Sequence, residues 1–226
     1  MLVHRQTVKE FFVNISIIGA GNVGRAVATS AHRAGHTVTI TASNLESAKL
    51  LADETGATAV DSTADAVRNA DVVLFAVPYA AISQVVADAG HALDGKTVMD
   101  ATNRPTPDTS GNTGPTSIAE ELQAQLPDAH VVKALNTAFA SRQADPVVGG
   151  IAVDGYVAGD DAAAKKTVLD FLESIGFRPV DAGPLATART LEGMAWLNIS
   201  LNMKGGSWQD GWKLVGPETA VKTSRN

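Results

Sequence analysis

Short apolar runs alternate along the chain with stretches whose apolar positions recur every three or four residues. The first run, Val13-Asn14-Ile15-Ser16-Ile17-Ile18, ends in glycines, and Val23, Val27, Ala31 and Ala34 then follow at helical spacing up to a stop at Gly35. Thr37 to Ile40 reads as a second strand, Glu46 to Glu54 as a helix, and Ala57 to Val60 as a weaker strand. Ser62 and Asp65 form an S-x-x-D start signal for a short helix ending near Asn69. Asp71 to Val77 is apolar after its first residue, as expected of a strand covered on both faces, and Pro78 stops it. Ile82, Val85, Val86 and Ala89 predict a helix, Lys96 to Ala101 a strand, Ser117 with Glu120 a capping box, and His130 to Leu135 a further strand. A short irregular or helical stretch runs from Thr137 to Gly150. Val153 to Ala158 is then a strand, and Asp160 or Asp161 caps a helix carrying Val168, Leu169 and Leu172 that Gly176 ends. Phe177 to Val180 is the last strand and Leu185 to about Met203 the last helix. Trp208, Trp212 and Leu214 are expected to pack on the body, and Lys222 to Asn226 to fray.

Strand–helix alternation of this kind predicts an α/β fold, a Rossmann-type doubly wound parallel sheet over residues 1–140. The simpler pattern over 141–226 predicts a small C-terminal α/β domain. The polar connection from Asn103 to Pro115 is long enough to be more often functional or mobile than merely connecting. The Met194–Trp196–Leu197–Leu201 face reads as core or as a dimer contact, and a homodimer is the expected assembly.

Composition narrows the function. The 226 residues are 45% apolar and 19% charged, a balance that fits a folded chain. A net charge of −6 leaves no basic surface for a nucleic-acid backbone. The chain has no cysteine, which excludes disulfides, thiol nucleophiles and thiolate-bound metals. No apolar run is long enough to span a membrane and the N-terminus carries no leader-like apolar core, so the expected address is the cytoplasm.

Gly19-Ala20-Gly21-Asn22-Val23-Gly24 is a G-x-G-x-x-G placed after a β-branched strand and opening a helix, the context in which it binds a dinucleotide. Gly19 allows the tight turn, Gly21 lets the main chain approach a diphosphate, and Gly24 lets the helix sit close to the sheet. The helix N-terminus adds free N–H groups and partial positive charge. An acidic residue at the end of the second strand would favour NAD, but this chain has Thr41-Ala42-Ser43-Asn44. Nothing there repels a 2′-phosphate, and Ser43 and Asn44 can donate to one, so NADP is favoured. The alternative reading of Asn44 is a cap for the next helix. No arginine stands at this corner.

Other strand ends should line the same crevice: Ala76-Val77-Pro78, Thr102-Asn103-Arg104, and Lys133 through Asn136 and Thr137. Arg104 could meet an anionic substrate or simply be solvated. None of His4, His32, His36, His91 and His130 falls at a strand's carboxyl end, and there is no Tyr-x-x-x-Lys pair. No catalytic side chain and no metal site is therefore assigned. Hydride transfer between two redox cofactors needs stacking and exclusion of water more than a proton donor, so the sparse inventory suits that chemistry.

The chain resembles the coenzyme F-420-dependent NADP oxidoreductases and their bacterial relatives from about Asn14 to Gly216. The likeness rests on Ile18–Gly24, Ala76-Val77-Pro78, Val132–Thr137, Val157–Asp161 and Asp181-Ala182-Gly183-Pro184-Leu185. It implies reversible hydride transfer between NADP(H) and F-420, a deazaflavin, or a flavin-like acceptor. It further implies that Ala20, Gly21, Asn22 and Val23 hold the diphosphate, Ser43 and Asn44 face the 2′-phosphate, and Val77 borders the adenosine. Ala140 would meet the nicotinamide carboxamide, with Asn136 beside the deazaflavin. Archaeal members carry an arginine at the position of Asn44 and a histidine at that of Asn136. The alternatives are an NADPH-dependent reductase of a small imine or carbonyl compound, whose relatives usually add a long helical domain, and a non-catalytic NADP-binding regulator.

Overall fold

The computed structural model describes residues 11–105 and 114–216. Six parallel strands form the first part of the sheet: β1 (Asn14–Ile18), β2 (Thr37–Thr41), β3 (Thr58–Ala59), β4 (Val72–Phe75), β5 (Thr97–Asp100) and β6 (His130–Ala134). Their spatial order is 3-2-1-4-5-6, so β1 lies between β2 and β4 and its Ile15 pairs with both Val38 and Val72. The order reverses beside β1, which is where an open α/β sheet leaves a crevice at its carboxyl edge.

The continuous apolar runs follow from cover on both faces. On β4, Val72 and Leu74 pack with helices α1 (Asn22–Arg33), α2 (Leu45–Thr55) and α7 (Ala162–Ser174). Val73 and Phe75 pack on the opposite face with α3 (Thr63–Val67), α4 (Ile82–Ala89), α5 (Ile118–Gln125) and the first turn of α8 (Ala188–Asn202). The start signals act as read. Ser62 Oγ accepts from the Asp65 N–H at 3.2 Å, and Ser117 and Glu120 cap each other's main chain. Asp161 rather than Asp160 caps α7, accepting from the Ala164 N–H at 2.7 Å, while Asp160 accepts from the Leu185 N–H at 2.9 Å.

The boundary expected at residue 140 does not separate two sheets. Strand β9 (Asp154–Gly159) pairs antiparallel with β6, and β10 (Arg178–Gly183) pairs parallel with β9, extending the same sheet to eight strands. Between them and β6 lie the short helix α6 (Ala140–Ala144) and a small hairpin of β7 (Val147–Val148) and β8 (Ile151–Ala152), in the stretch read as irregular or helical. A 3₁₀ turn over Leu185–Thr187 precedes α8. Leu197 and Leu201 stand about half exposed on its outer side, so at these two positions the stripe is not core. The inner part of the Asn103–Pro115 loop, the N-terminal ten residues and the Lys222–Asn226 end lie outside the described residues, and with them the readings of a functional loop, an absent leader and a frayed end. Among the described residues no helix is long and apolar enough to cross a membrane.

Candidate functional site

The glycine turn is pinned from both sides. Gly19 N–H donates to the Thr41 carbonyl of β2 at 2.8 Å, and Ala76 N–H, just past β4, donates to the Ile18 carbonyl at 2.9 Å. Gly19 adopts φ 119°, and a Cβ there would lie 2.3 Å from the Ala76 carbonyl oxygen. A Cβ on Gly24 would lie 1.9 Å from the Gly19 carbonyl oxygen, so α1 rests directly on the turn. Gly21 differs from both: a Cβ there meets nothing within 4 Å and would project into open space. Gly21 is also the N-cap of α1, without a side-chain cap and with no acid in the first turn. The first-turn N–H groups of Asn22, Val23 and Gly24 have no acceptor within the helix and carry its positive end. An uncapped helix start behind a bare turn is the geometry a diphosphate requires.

A cavity of about 590 Å³ opens in front of this turn. It gathers Gly19, Ala20, Gly21, Ser43, Asn44, Ala76, Val77 and Pro78, all expected from the sequence. It adds Asp61, Thr63, Gln84 and Asp88, which the sequence did not single out because they lie past a two-residue strand and along α4. Asn44 is a helix cap: its Oδ1 accepts from Glu46 N–H at 2.9 Å and Ser47 N–H at 3.4 Å. Its oxygen is thereby committed, which leaves the amide nitrogen as the group it can offer an anion.

A second cavity of about 210 Å³ lies beyond α1, at the ends of β5 and β6. Val23, Asn103, Asn136 and Ala140 meet there, joined by Phe139, Gln143, Ile199 and Trp208. Asn22 is exposed at the helix start and Gly24 is buried against the turn, and neither lines either cavity. Two asparagines lock the wall: Asn103 Nδ2 donates to the Asn136 carbonyl at 2.9 Å, and Asn136 Nδ2 donates to Asn103 Oδ1 at 3.1 Å and to the Leu191 carbonyl of α8 at 3.0 Å. Every described residue lining this cavity is neutral, an amide, a hydroxyl or an apolar group.

Behind that wall sits a fully buried ionic cluster that sequence reading passed over. Lys133 Nζ donates to Asp100 Oδ2 at 2.9 Å, to Glu192 Oε1 at 3.0 Å and to the Thr102 carbonyl at 2.6 Å. Glu192 Oε1 also accepts from the Ile118 N–H that starts α5, at 2.8 Å. Burial pushes the Glu192 carboxyl above its ordinary range, against the pull of Lys133. The cluster ties β5, β6, α5 and α8 together, and so fixes the backbone that carries Asn103 and Asn136. The lysine ending an apolar strand was the available signal; the distant Glu192 had none.

Arg104 is held by its neighbours. Its guanidinium pairs with Glu121, lies 4.8 Å over the Tyr79 ring, donates to Tyr79 Oη at 3.2 Å, and reaches the Thr116 carbonyl at 3.4 Å. It joins the two stems of the Asn103–Pro115 loop. Among the described residues no cluster of three His, Asp or Glu side chains could hold a metal ion.

Known proteins are similar to this chain in sequence and fold. A family model described as NADP oxidoreductase, coenzyme F420-dependent, matches residues 14–104. The F420-dependent NADP reductase of Methanocaldococcus jannaschii is 31% identical over 163 residues, 68% of this chain and 72% of that protein. Metalloreductase STEAP2 of Homo sapiens is 27% identical over 185 residues, 80% of this chain but 36% of that protein, so the chain spans about a third of its length. The crystal structure of a candidate F420-dependent NADP-reductase from Arthrobacter sp. FB24 superposes with a TM-score of 0.78 at 29% identity, covering 90% of this chain and all of that one.

Proposed function

Because the chain belongs to the family of coenzyme F420-dependent NADP oxidoreductases, we propose that it is an NADP-dependent oxidoreductase that exchanges a hydride with a deazaflavin or flavin ring. The observation that carries the acceptor class is the neutral lining of the second cavity. Reduction of a carbonyl or imine calls for a positioned proton donor in reach of the reacting atom. Ring-to-ring transfer calls for close stacking in a dry slot, and Phe139, Ile199 and Trp208 supply apolar walls.

In this reading the chain's own parts divide the work. The main chain from Gly19 to Val23 holds the diphosphate, with Gly21 leaving room for it. Ser43 Oγ and the Asn44 amide face the 2′-phosphate, and Val77 and Pro78 border the adenosine. Val23 and Ala140 line the second cavity, where Asn136 meets the acceptor. NADPH held by these residues would supply a hydride, two electrons and one proton, and the reduced ring could leave as its anion and be protonated in bulk solvent. Ala101 and Ala195, small residues on facing elements, leave the slot its width.

Mixing the protein with NADPH and either F-420 or flavin mononucleotide tests the reading. Loss of the acceptor's visible band in step with NADPH oxidation is expected. NADPH oxidation only with a cyclic imine or a small ketone, with both rings left coloured, would overturn it.

A further inference from the structure

The described chain does not end at α8. Residues 203–216 turn back across the molecule and are fastened at both ends. Trp208 N–H donates to Asn202 Oδ1 at 2.7 Å and its carbonyl accepts from Ser141 Oγ at 2.7 Å. Further on, the Trp212 carbonyl accepts from Asp154 N–H at 2.9 Å, Leu214 N–H donates to Asp154 Oδ2 at 2.6 Å, and Arg178 Nη2 donates to the Leu214 carbonyl at 2.6 Å. This strap lays the Trp208 indole at the mouth of the second cavity, tilted against Phe139 with ring centroids 5.2 Å apart.

Three features of that place are unusual. First, Trp208 is 45% exposed although its main chain is bonded on both sides. The main chain thus positions the indole while almost half of its surface stays free for a stacking contact. Second, among the described residues the non-glycine residues with positive φ are Trp208, at 57°, and Leu135, at 63°. Leu135 directly precedes Asn136, and its carbonyl accepts from Gln143 Nε2 at 3.0 Å, so both strained residues flank one cavity. Third, two residues of the cavity wall carry a buried oxygen without a partner among the described residues, Asn136 Oδ1 and Gln143 Oε1. Neither amide can be turned over. Gln143 Nε2 must face the carbonyls of Leu135 and Ala138, and Asn136 Nδ2 must face that of Leu191.

From these observations we propose that Trp208 is a specificity-determining residue for the second substrate, whose ring stacks on the indole while the orphaned oxygens of Asn136 and Gln143 accept from its edge. The inference rests on the oxidoreductase reading and adds to it the residues that would set specificity for the ring. The indole face takes the ring, and the two orphaned oxygens accept from its N–H groups. A small aliphatic carbonyl or imine offers no face to stack and at most one donor. Trp208 acts on binding alone and takes no part in bond making.

The test compares wild type, W208F and W208A, each saturated with NADP⁺, titrated with flavin mononucleotide and with F-420 by calorimetry. Melting temperature and NADPH affinity are measured alongside. The expected result is ring binding by the wild type, a loss on the order of tenfold in W208A, recovery to within about threefold in W208F, and unchanged NADPH affinity in all three. Equal ring affinity in W208A and wild type would overturn the role of Trp208 and leave the oxidoreductase reading standing. A wild type that binds NADPH but neither ring would overturn the acceptor class itself. Parallel loss of NADPH affinity and melting temperature in W208A, not restored in W208F, would overturn the inference by making Trp208 a structural residue.

Discussion

The two cavities flanking α1 are built in opposite ways. The larger one is built on main chain, a turn of consecutive residues and an uncapped helix start pinned by β2 and β4, with the side chains of Asn44, Asp61, Gln84 and Asp88 around it. The smaller one is side chain: Asn103, Asn136, Gln143, Ile199 and Trp208 converge on it from separate segments. Its shape depends on a buried cluster whose members, Asp100, Lys133 and Glu192, never reach it. A turn made of main chain tolerates change except where a side chain would intrude on it or on the space it faces. A site made of converging side chains can be re-specified by one substitution and can be lost through residues far from it.

Substitutions should separate the two regions by size of effect. The largest is expected from Lys133→Met. It leaves two carboxylates buried without their cation and should cost about 3–5 kcal/mol in urea unfolding. The folded variant should keep its NADPH affinity and lose affinity for the ring. A cost under about 1 kcal/mol would mean that the cluster does not hold the second cavity together. Gly24→Ala comes next. The added methyl would collide with the Gly19 carbonyl, and the required shift should cost about 1–3 kcal/mol and weaken NADPH while sparing the ring-binding residues. Unaltered stability with wild-type NADPH binding would show that α1 need not touch the turn.

A gain is expected at the corner of β2. Asn44→Arg offers a guanidinium to a 2′-phosphate and should raise the preference for NADPH over NADH about tenfold, at roughly 1 kcal/mol of lost capping. An unchanged ratio of the two dissociation constants would place the 2′-phosphate elsewhere.

The smallest effect should fall outside both cavities, at His36. It is buried, its Nδ1 accepts from Val13 N–H at 3.3 Å, and its Nε2 lies 2.8 Å from Ser174 Oγ. Burial lowers its pKa below the unfolded value of about 6.5. The unfolded chain therefore binds this proton more readily. Its contribution to stability is full above that pH and is lost as pH falls toward the folded pKa. Melting temperature should decline below about pH 6.5, and His36→Gln should flatten that decline. An identical pH profile in the variant would remove His36 as its source.

What could be read from the sequence follows the same division. β4 showed as an unbroken apolar run because cover on both faces suppresses alternation, β2 alternates threonine with an apolar residue, and Ser62, Ser117 and the glycine turn marked their helices locally. The glycine turn was legible because main-chain chemistry is written in neighbouring positions. The continuity of β9 with β6 was not legible, since strand order and antiparallel pairing are set by packing between distant segments. The β7–β8 hairpin did leave a signal, Gly149-Gly150 between two short apolar pairs, which was passed over in a stretch expected to be irregular. Gln143, Glu192 and Trp208 carry no local pattern; only the fold brings them to Asn136 or behind it.

The central claim is that a bare main-chain turn grips the dinucleotide, and Gly21→Asp tests it most directly. A Cβ at Gly21 meets nothing, so the variant should fold with the wild-type melting temperature while its carboxylate occupies the space in front of α1. Calorimetric titration with NADPH should show binding by the wild type and at least a hundredfold loss in the folded variant, on the order of 3 kcal/mol. Equal affinity in the two proteins would contradict the account.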